Sequence, residues 1–338
     1  MKSQSDQDDR IAALEAECAA LRAENAKLRA VIHGGELKNP TEAYSVTVPP
    51  PDTSVRHDSP TADKVALFRL LFRGREDIYP EWWQSKTGRT GYSPACSNEW
   101  LPRICEKPRI KCADCPNRAF LAVSDEAVYD HLSGRRVLGV YPILEDDTTW
   151  FVAADFDGSS WRDDASAYAT SCRELGIPAY VEVSRSGEGA HVWVFFDSPV
   201  PARQARHLAS AAITRACARY RTLGFASYDR LFPSQDTLPK GGFGNLIALP
   251  LQRKARDRGA TFFVYEAWRP FPDQWAFLAA VDRLTALTVD SILARAAKED
   301  GILGVRSVSI GDDVADDPWT LPPSRRFSSI KPACQSSC

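Results

Sequence analysis

Nowhere in these 338 residues does an apolar run approach the roughly 18 uninterrupted positions of a transmembrane helix, so no segment is expected to span a bilayer. The opening MKSQSDQDDR lacks the charged-then-apolar layout of a secretion signal, and the expected location is the cytoplasm. In that compartment the nine cysteines do not form a disulfide set. No GxxxxGK[ST] occurs, which excludes a P-loop motor, and no internal repeat is present. Charge of one sign is not in excess either. With 42 Lys and Arg against 44 Asp and Glu, the net charge of −2 excludes a histone-like binder. It leaves room for a local anionic site, because residues 201–260 hold eleven Lys and Arg against three acids.

What is present is globular. Hydrophobic residues make up 44% and charged ones 25%, enough for a core in one large domain or two ordinary ones. Residues 9–32 carry heptad spacing, with Leu14, Leu21 and Leu28 on one seam and Ile11, Cys18, Asn25 and Ile32 on the other. An asparagine at an a position favours a parallel dimer, so residues 1–33 are expected to form a coiled-coil helix and a homodimer contact. Residues 34–60, with Gly34-Gly35 and Pro49-Pro50-Pro51, read as a flexible linker. Between 61 and 290, apolar runs alternate with helical stretches in an α/β or α+β pattern, starting with a helical face of Val65, Phe68, Leu71 and Phe72 that stops at Gly74. Residues 291–338 are expected to be a largely disordered tail.

Four cysteines crowd together as Cys96-x8-Cys105-x6-Cys112-x2-Cys115, within the span 96–115. A CxxC turn supplies two thiolates from one tight loop, and zinc favours four such ligands in a tetrahedron, so a structural zinc knuckle is expected. The fourth ligand is either Cys96 or His131, on a helix expected over Ser124 to Leu132. Lys107, Arg109, Lys111 and Arg118 surround the cluster and suit thiolates or a phosphate backbone.

The sharpest chemistry begins where the apolar run Trp150–Ala154 ends in Asp155-Phe156-Asp157. On a strand, residues two apart share a face, so both carboxylates converge. Two like charges that close call for a cation, and Mg²⁺ then brings substrate phosphates with it. Two strand-like runs, AYVEV (179–183) and HVWVFF (191–196), are joined by a Ser/Gly turn containing Arg185, Ser186, Gly187 and Gly189, whose backbone amides can face an anion. His191 opens the second run. Downstream, Asp229 and Asp236 precede a glycine-rich bend and an apolar run, Leu246 to Leu251, expected as a strand. Either acid can complete a two-metal set, and Asp229 is favoured because an acid leaving a strand is more rigidly held. Lys240 and the basic run Arg253-Lys254-Ala255-Arg256 follow as phosphate or template contacts.

An acidic pair ending a strand, a Ser/Gly turn into histidine, and a later acid ahead of an apolar run resemble, in this order, the three motifs of archaeo-eukaryotic primases. Here they read VAADFD, SRSGEGAH and YDRLFPSQD. The segments FRGREDIYP, GYSPAC, EKPRIKCADC, HLSG, GVYPIL and GGFGNLIALPLQ are most similar to the primase domain of TOTE conflict systems and to CRISPR-associated primase–polymerases. The resemblance spans about residues 62–290. It implies an α+β fold with an RRM-like catalytic sheet, a smaller α/β half, and the active site between them. It also implies catalytic Mg²⁺ or Mn²⁺ on Asp155, Asp157 and one later acid, and nucleoside triphosphate at Arg185, Ser186, Gly187, Gly189, His191, Lys240 and Arg253. The expected activity is a DNA primase or polymerase on single-stranded or primed DNA, with helicase and nuclease either on separate chains or missing from a truncated gene. Two other readings compete: a coiled-coil, zinc-containing DNA-binding regulator, which leaves the carboxylates unused, and a metal nuclease, which leaves the histidine turn unused.

Overall fold

In a computed structural model of the chain, residues 55–220 and 227–299 are described. The expected coiled coil, the linker up to residue 54 and the tail beyond residue 299 lie outside the described residues. The last linker residues are tied down, since the His57 N–H donates to Asp273 Oδ2 at 2.9 Å and Val55 packs on the core.

The first elements build the smaller half. Helix α1 (Thr61–Leu71) buries Val65, Phe68 and Leu71 along one stripe, as their spacing predicts. It ends before Gly74, where a Cβ would collide with the Tyr141 carbonyl oxygen. Strands β1 (Pro80–Gln84) and β2 (Thr90–Pro94) form an antiparallel hairpin. Helix α2 (Asp125–Ser133) is capped at its start by Ser124, whose side chain accepts from the Ala127 N–H at 3.1 Å, and stopped by left-handed Gly134. Strand β3 (Gly139–Val140) closes this group.

The chain then lays down β4 (Thr148–Asp157), α3 (Trp161–Glu174), β5 (Tyr180–Val183), β6 (Gly189–Pro201), α4 (Ala202–Arg219) and β7 (Tyr228–Phe232). This βαββαβ unit has the order β5-β6-β4-β7 with every neighbour antiparallel, the arrangement of an RRM sheet. Alternation along β4 and β6 divides the core in two. Val152, Ala154, Phe156, Val192, Val194 and Phe196 face α3, α4 and the last helix. Phe151, Ala153, Trp193 and Phe195 face the smaller half, where Phe72 meets both Trp193 and Phe195 edge-on. Each large side chain buried this way contributes about 1.5–3 kcal/mol.

The remaining elements are β8 (Ile247–Ala248), α5 (Arg253–Arg256), β9 (Phe263–Tyr265), β10 (Arg269–Pro270), α6 (Gln274–Ala279), β11 (Arg283–Leu284) and α7 (Ala286–Glu299). β9 and β10 extend the sheet beyond β5, while β11 runs parallel to the later part of β6. Two expectations need correcting. The run Leu246–Leu251 pairs only at Ile247–Ala248, against β3 rather than the main sheet; Pro250 offers no N–H and Leu251 takes a positive φ of 62°. The core also continues past residue 290, because α7 buries Ile292 and Ala296. Among the described residues, no helix is long and apolar enough to cross a membrane.

Candidate active site

β4 delivers the first two carboxylates. Asp155 and Asp157 lie two residues apart at its end, on the face toward the smaller half, paired across β6 with His191 and Gly189. Asp155 is nearly buried and Asp157 is exposed.

The third comes from β7, and simple alternation would place it on the wrong face. Arg230 pairs with Asp155 and Tyr228 with Phe156, so Asp229 is an extra residue in a bulge between them. The bulge turns its carboxylate toward the other two, and ligand oxygens of Asp155, Asp157 and Asp229 lie within 4.8 Å of one another. The start of β7 is fixed from two sides. The Asp157 N–H donates to the Ser227 carbonyl at 2.7 Å, and buried Asp164 of α3 accepts from the Ser227 hydroxyl at 2.6 Å.

Three carboxylates this close repel one another. Burial, with added repulsion from Asp157 and Asp229, pushes the Asp155 carboxyl up to about 6 against the opposing pull of His191. Arg230 Nε–H donates to Asp229 Oδ2 at 2.5 Å and supplies one compensating charge. The donor set is all oxygen, mutually close and open on one side, and it fits hard divalent cations.

Behind Asp155 stands His191, 7% exposed, with Nε2 at 3.6 Å from Asp155 Oδ1 and Nδ1 at 2.9 Å from Glu182 Oε2. Burial pulls this imidazole down, but Glu182, Asp155 and Asp157 outweigh it and the net shift is upward. Glu182 escaped the sequence reading. Its one signal is an acid inside the otherwise apolar strand AYVEV, at the position that pairs with His191. Asp164 carries no such signal, being one acid of Asp163-Asp164 in the first turn of an ordinary helix.

The turn between β5 and β6 is held by its own serines. Ser184 and Ser186 hydroxyls lie 2.9 Å apart, the Glu188 N–H donates to Ser186 Oγ at 3.1 Å, and Gly187 takes a positive φ of 80°. Arg185 leaves this turn and stacks its guanidinium 4.9 Å from the Trp82 ring of the β1–β2 hairpin, joining the turn to the smaller half.

Other expected residues lie elsewhere. Asp236 is not with the trio; it pairs with Arg206 of α4. Lys240 occupies an exposed turn, and Arg253 opens α5 beside Gly134; neither is bonded to the carboxylates.

Cys96, Cys105, Cys112 and Cys115 do line one small cavity, together with Lys107 and Arg118. The Ala119 N–H points at Cys96 Sγ at 3.4 Å. Among the described residues the carboxylate trio is the one set of three metal-type side chains closed to 4.8 Å, so the thiols share a cavity without that closeness. In kind they suit zinc. His131 does not belong with them. It is fully buried, its Nδ1 accepts from the Leu138 N–H at 3.0 Å, and its Nε2–H donates to the Pro250 carbonyl at 2.8 Å. Burial lowers its pKa to about 4, and neither nitrogen is left for a metal.

Residues 63–292 match the family described as the TOTE conflict system, archaeo-eukaryotic primase domain. Among solved structures, the polymerase domain from Mycobacterium tuberculosis ligase D in complex with DNA is similar at 14% identity, over 72% of this chain and 90% of that chain, with a TM-score of 0.34. No curated protein matches the chain.

Proposed function

Because the chain belongs to the archaeo-eukaryotic primase family of the TOTE conflict systems, we propose that it is a DNA-directed primase or polymerase acting on single-stranded or primed DNA. The observation that carries this reading is the trio Asp155, Asp157 and Asp229, closed to 4.8 Å on one sheet face beside His191.

Asp155, Asp157 and Asp229 would hold two Mg²⁺ or Mn²⁺ ions. When bound, such ions activate an attacking hydroxyl and neutralise charge on the leaving pyrophosphate. The chain's own residues do the rest. The trio spans two strands locked together by Ser227, so the acids are preorganised rather than gathered by the ligand. His191 Nε2 faces the same side, placed to meet a phosphate oxygen of the incoming nucleotide. The Ser184–Gly189 turn and Arg185 offer donors to the same triphosphate, and Arg185 also links it to the smaller half. A lone nuclease site has no use for that turn.

The same proposal extends to the finer parts. Cys96, Cys105, Cys112 and Cys115 hold one structural zinc, and the basic residues around them contact the template, as does the basic stretch 201–260. Residues 1–33 pair two chains. The protein works in the cytoplasm as part of an anti-invader system.

The test is incubation of the purified chain with primed and unprimed single-stranded DNA, labelled nucleotides and Mg²⁺ or Mn²⁺. Extension is expected, and it should vanish in the Asp155→Ala/Asp157→Ala protein while the fold persists. Cleavage without extension would select a nuclease, and retention alone a DNA-binding regulator.

A further inference from the structure

Glu182 is 1% exposed, in the strand next to the one carrying His191 and in register with it. An ionised carboxylate in such a place costs several kcal/mol unless it is fully engaged. Its Oε2 is engaged twice: Trp193 Nε1–H donates to it at 2.9 Å, and so does His191 Nδ1–H at 2.9 Å.

The two donors are not equivalent. An indole nitrogen only donates, and Trp193 is fully buried among Phe72, Phe151 and Phe195. Trp193 therefore fixes the carboxylate, and the carboxylate fixes the imidazole. With its proton on Nδ1 committed to Glu182, His191 can only turn Nε2 toward the trio, where it stands 3.6 Å from Asp155 Oδ1 and makes no hydrogen bond among the described residues. Packing alone would be served equally well by an apolar residue at 182. The buried charge is explained by what it holds.

We infer that Glu182 is the positioning residue of this site: anchored by Trp193, it holds Nδ1–H and the ring orientation of His191, so that Nε2–H of the imidazolium is presented as a donor to the phosphates of the incoming nucleotide. This rests on the polymerase reading above. Behind a metal-ligating histidine such a carboxylate accounts for roughly 10- to 100-fold in affinity or activity, and the same scale is expected here.

Two measurements on the full chain decide it. The first is a long-range ¹H–¹⁵N spectrum of the imidazoles in the wild-type protein. A protonated Nδ1 on His191, lost or shifted in Glu182→Leu, is expected; a bare Nδ1 in the wild type overturns the inference. The second is a kinetic cycle of Glu182→Leu, His191→Ala and the double variant, read as KM for nucleotide and kcat at saturating template. Glu182→Leu should lose about 10- to 100-fold in kcat/KM, and the double variant should be no worse than His191→Ala. Losses that multiply would mean that Glu182 acts independently of the histidine, which overturns it. Glu182→Gln keeps an oxygen able to accept both bonds, so it should fold and remain within about threefold of wild type in kcat/KM. A Gln variant as poor as His191→Ala would also overturn it. A wild type that incorporates nothing removes the polymerase reading instead, and the spectrum still decides whether Glu182 holds the ring.

Discussion

Asp157 Oδ1 occupies the space a side chain on Gly189 would need. A Cβ there would collide with that oxygen, and it would also lie 2.8 Å from the Phe156 carbonyl. The two residues are cross-strand partners at the open end of β4 and β6, so the glycine is what lets this carboxylate lie flat against its neighbour strand. Gly189→Ala should displace Asp157 and cut nucleotide incorporation on the order of 100-fold. The accompanying stability loss should be only about 1–3 kcal/mol, read by urea unfolding.

The later acids can be separated by ion rescue. Asp229→Asn should be inactive with Mg²⁺ and with Mn²⁺, because it removes one of the three clustered oxygens. Asp236→Asn loses a half-exposed pair with Arg206, which contributes at most about 1 kcal/mol, and should keep most of its activity. Primer-extension rates with each ion check both. Full activity in Asp229→Asn would remove β7 from the site.

Asp155 gives a pH signature in the metal-free protein. Its ordinary value is 3.8 and burial raises it to about 6, so the folded chain holds this proton more tightly than the unfolded chain does. The contribution to stability is therefore full below about 3.8, falls as pH rises, and has been lost by a little above 6. A rise of that size is worth roughly 3 kcal/mol. In EDTA, Asp155→Asn should be more stable than wild type at pH 7.5, and the gap should shrink at pH 4.5. Urea midpoints at the two pH values measure it.

Metal analysis of fresh, reduced protein should find about one zinc per chain, lost in Cys112→Ser and in Cys96→Ser. His131→Ala should keep its zinc and lose about 3 kcal/mol, since it leaves the Leu138 N–H and the Pro250 carbonyl without a partner. A zinc-free His131→Ala protein that remains folded would return the histidine to the metal site.

Local pattern made part of this site readable. The run ending in DFD and the HVWVFF run are unbroken apolar stretches that read as strands, and side chains two apart on a strand share a face, which puts Asp155 and Asp157 together; the register that sets Asp155 opposite His191 comes from the sheet. What alternation cannot reveal is its own failure. Asp229 joins the trio through a bulge, one extra residue that no sequence period announces. Glu182 was hidden because an acid within an apolar strand gains meaning only from its neighbour across the sheet. His131 misled for the converse reason. Proximity to the cysteines in sequence suggested a ligand, while both ring nitrogens are spent on backbone, one on nearby Leu138 and the other on Pro250 far along the chain.

β6 has two different neighbours on the same side. β5 pairs with it from Ala190 to Trp193, and β11, from near the end of the described chain, pairs with Phe195 and Phe196. During synthesis, the strands that bear the three aspartates all leave the ribosome before the segment that seals the far half of β6. Until then an apolar edge of the central sheet has no partner, and α7, which buries Val289, Ile292 and Ala296 behind it, does not yet exist. A nascent chain thus holds its carboxylate trio well before it can protect the sheet that carries it, and during that interval an unpartnered apolar edge is open to misassociation.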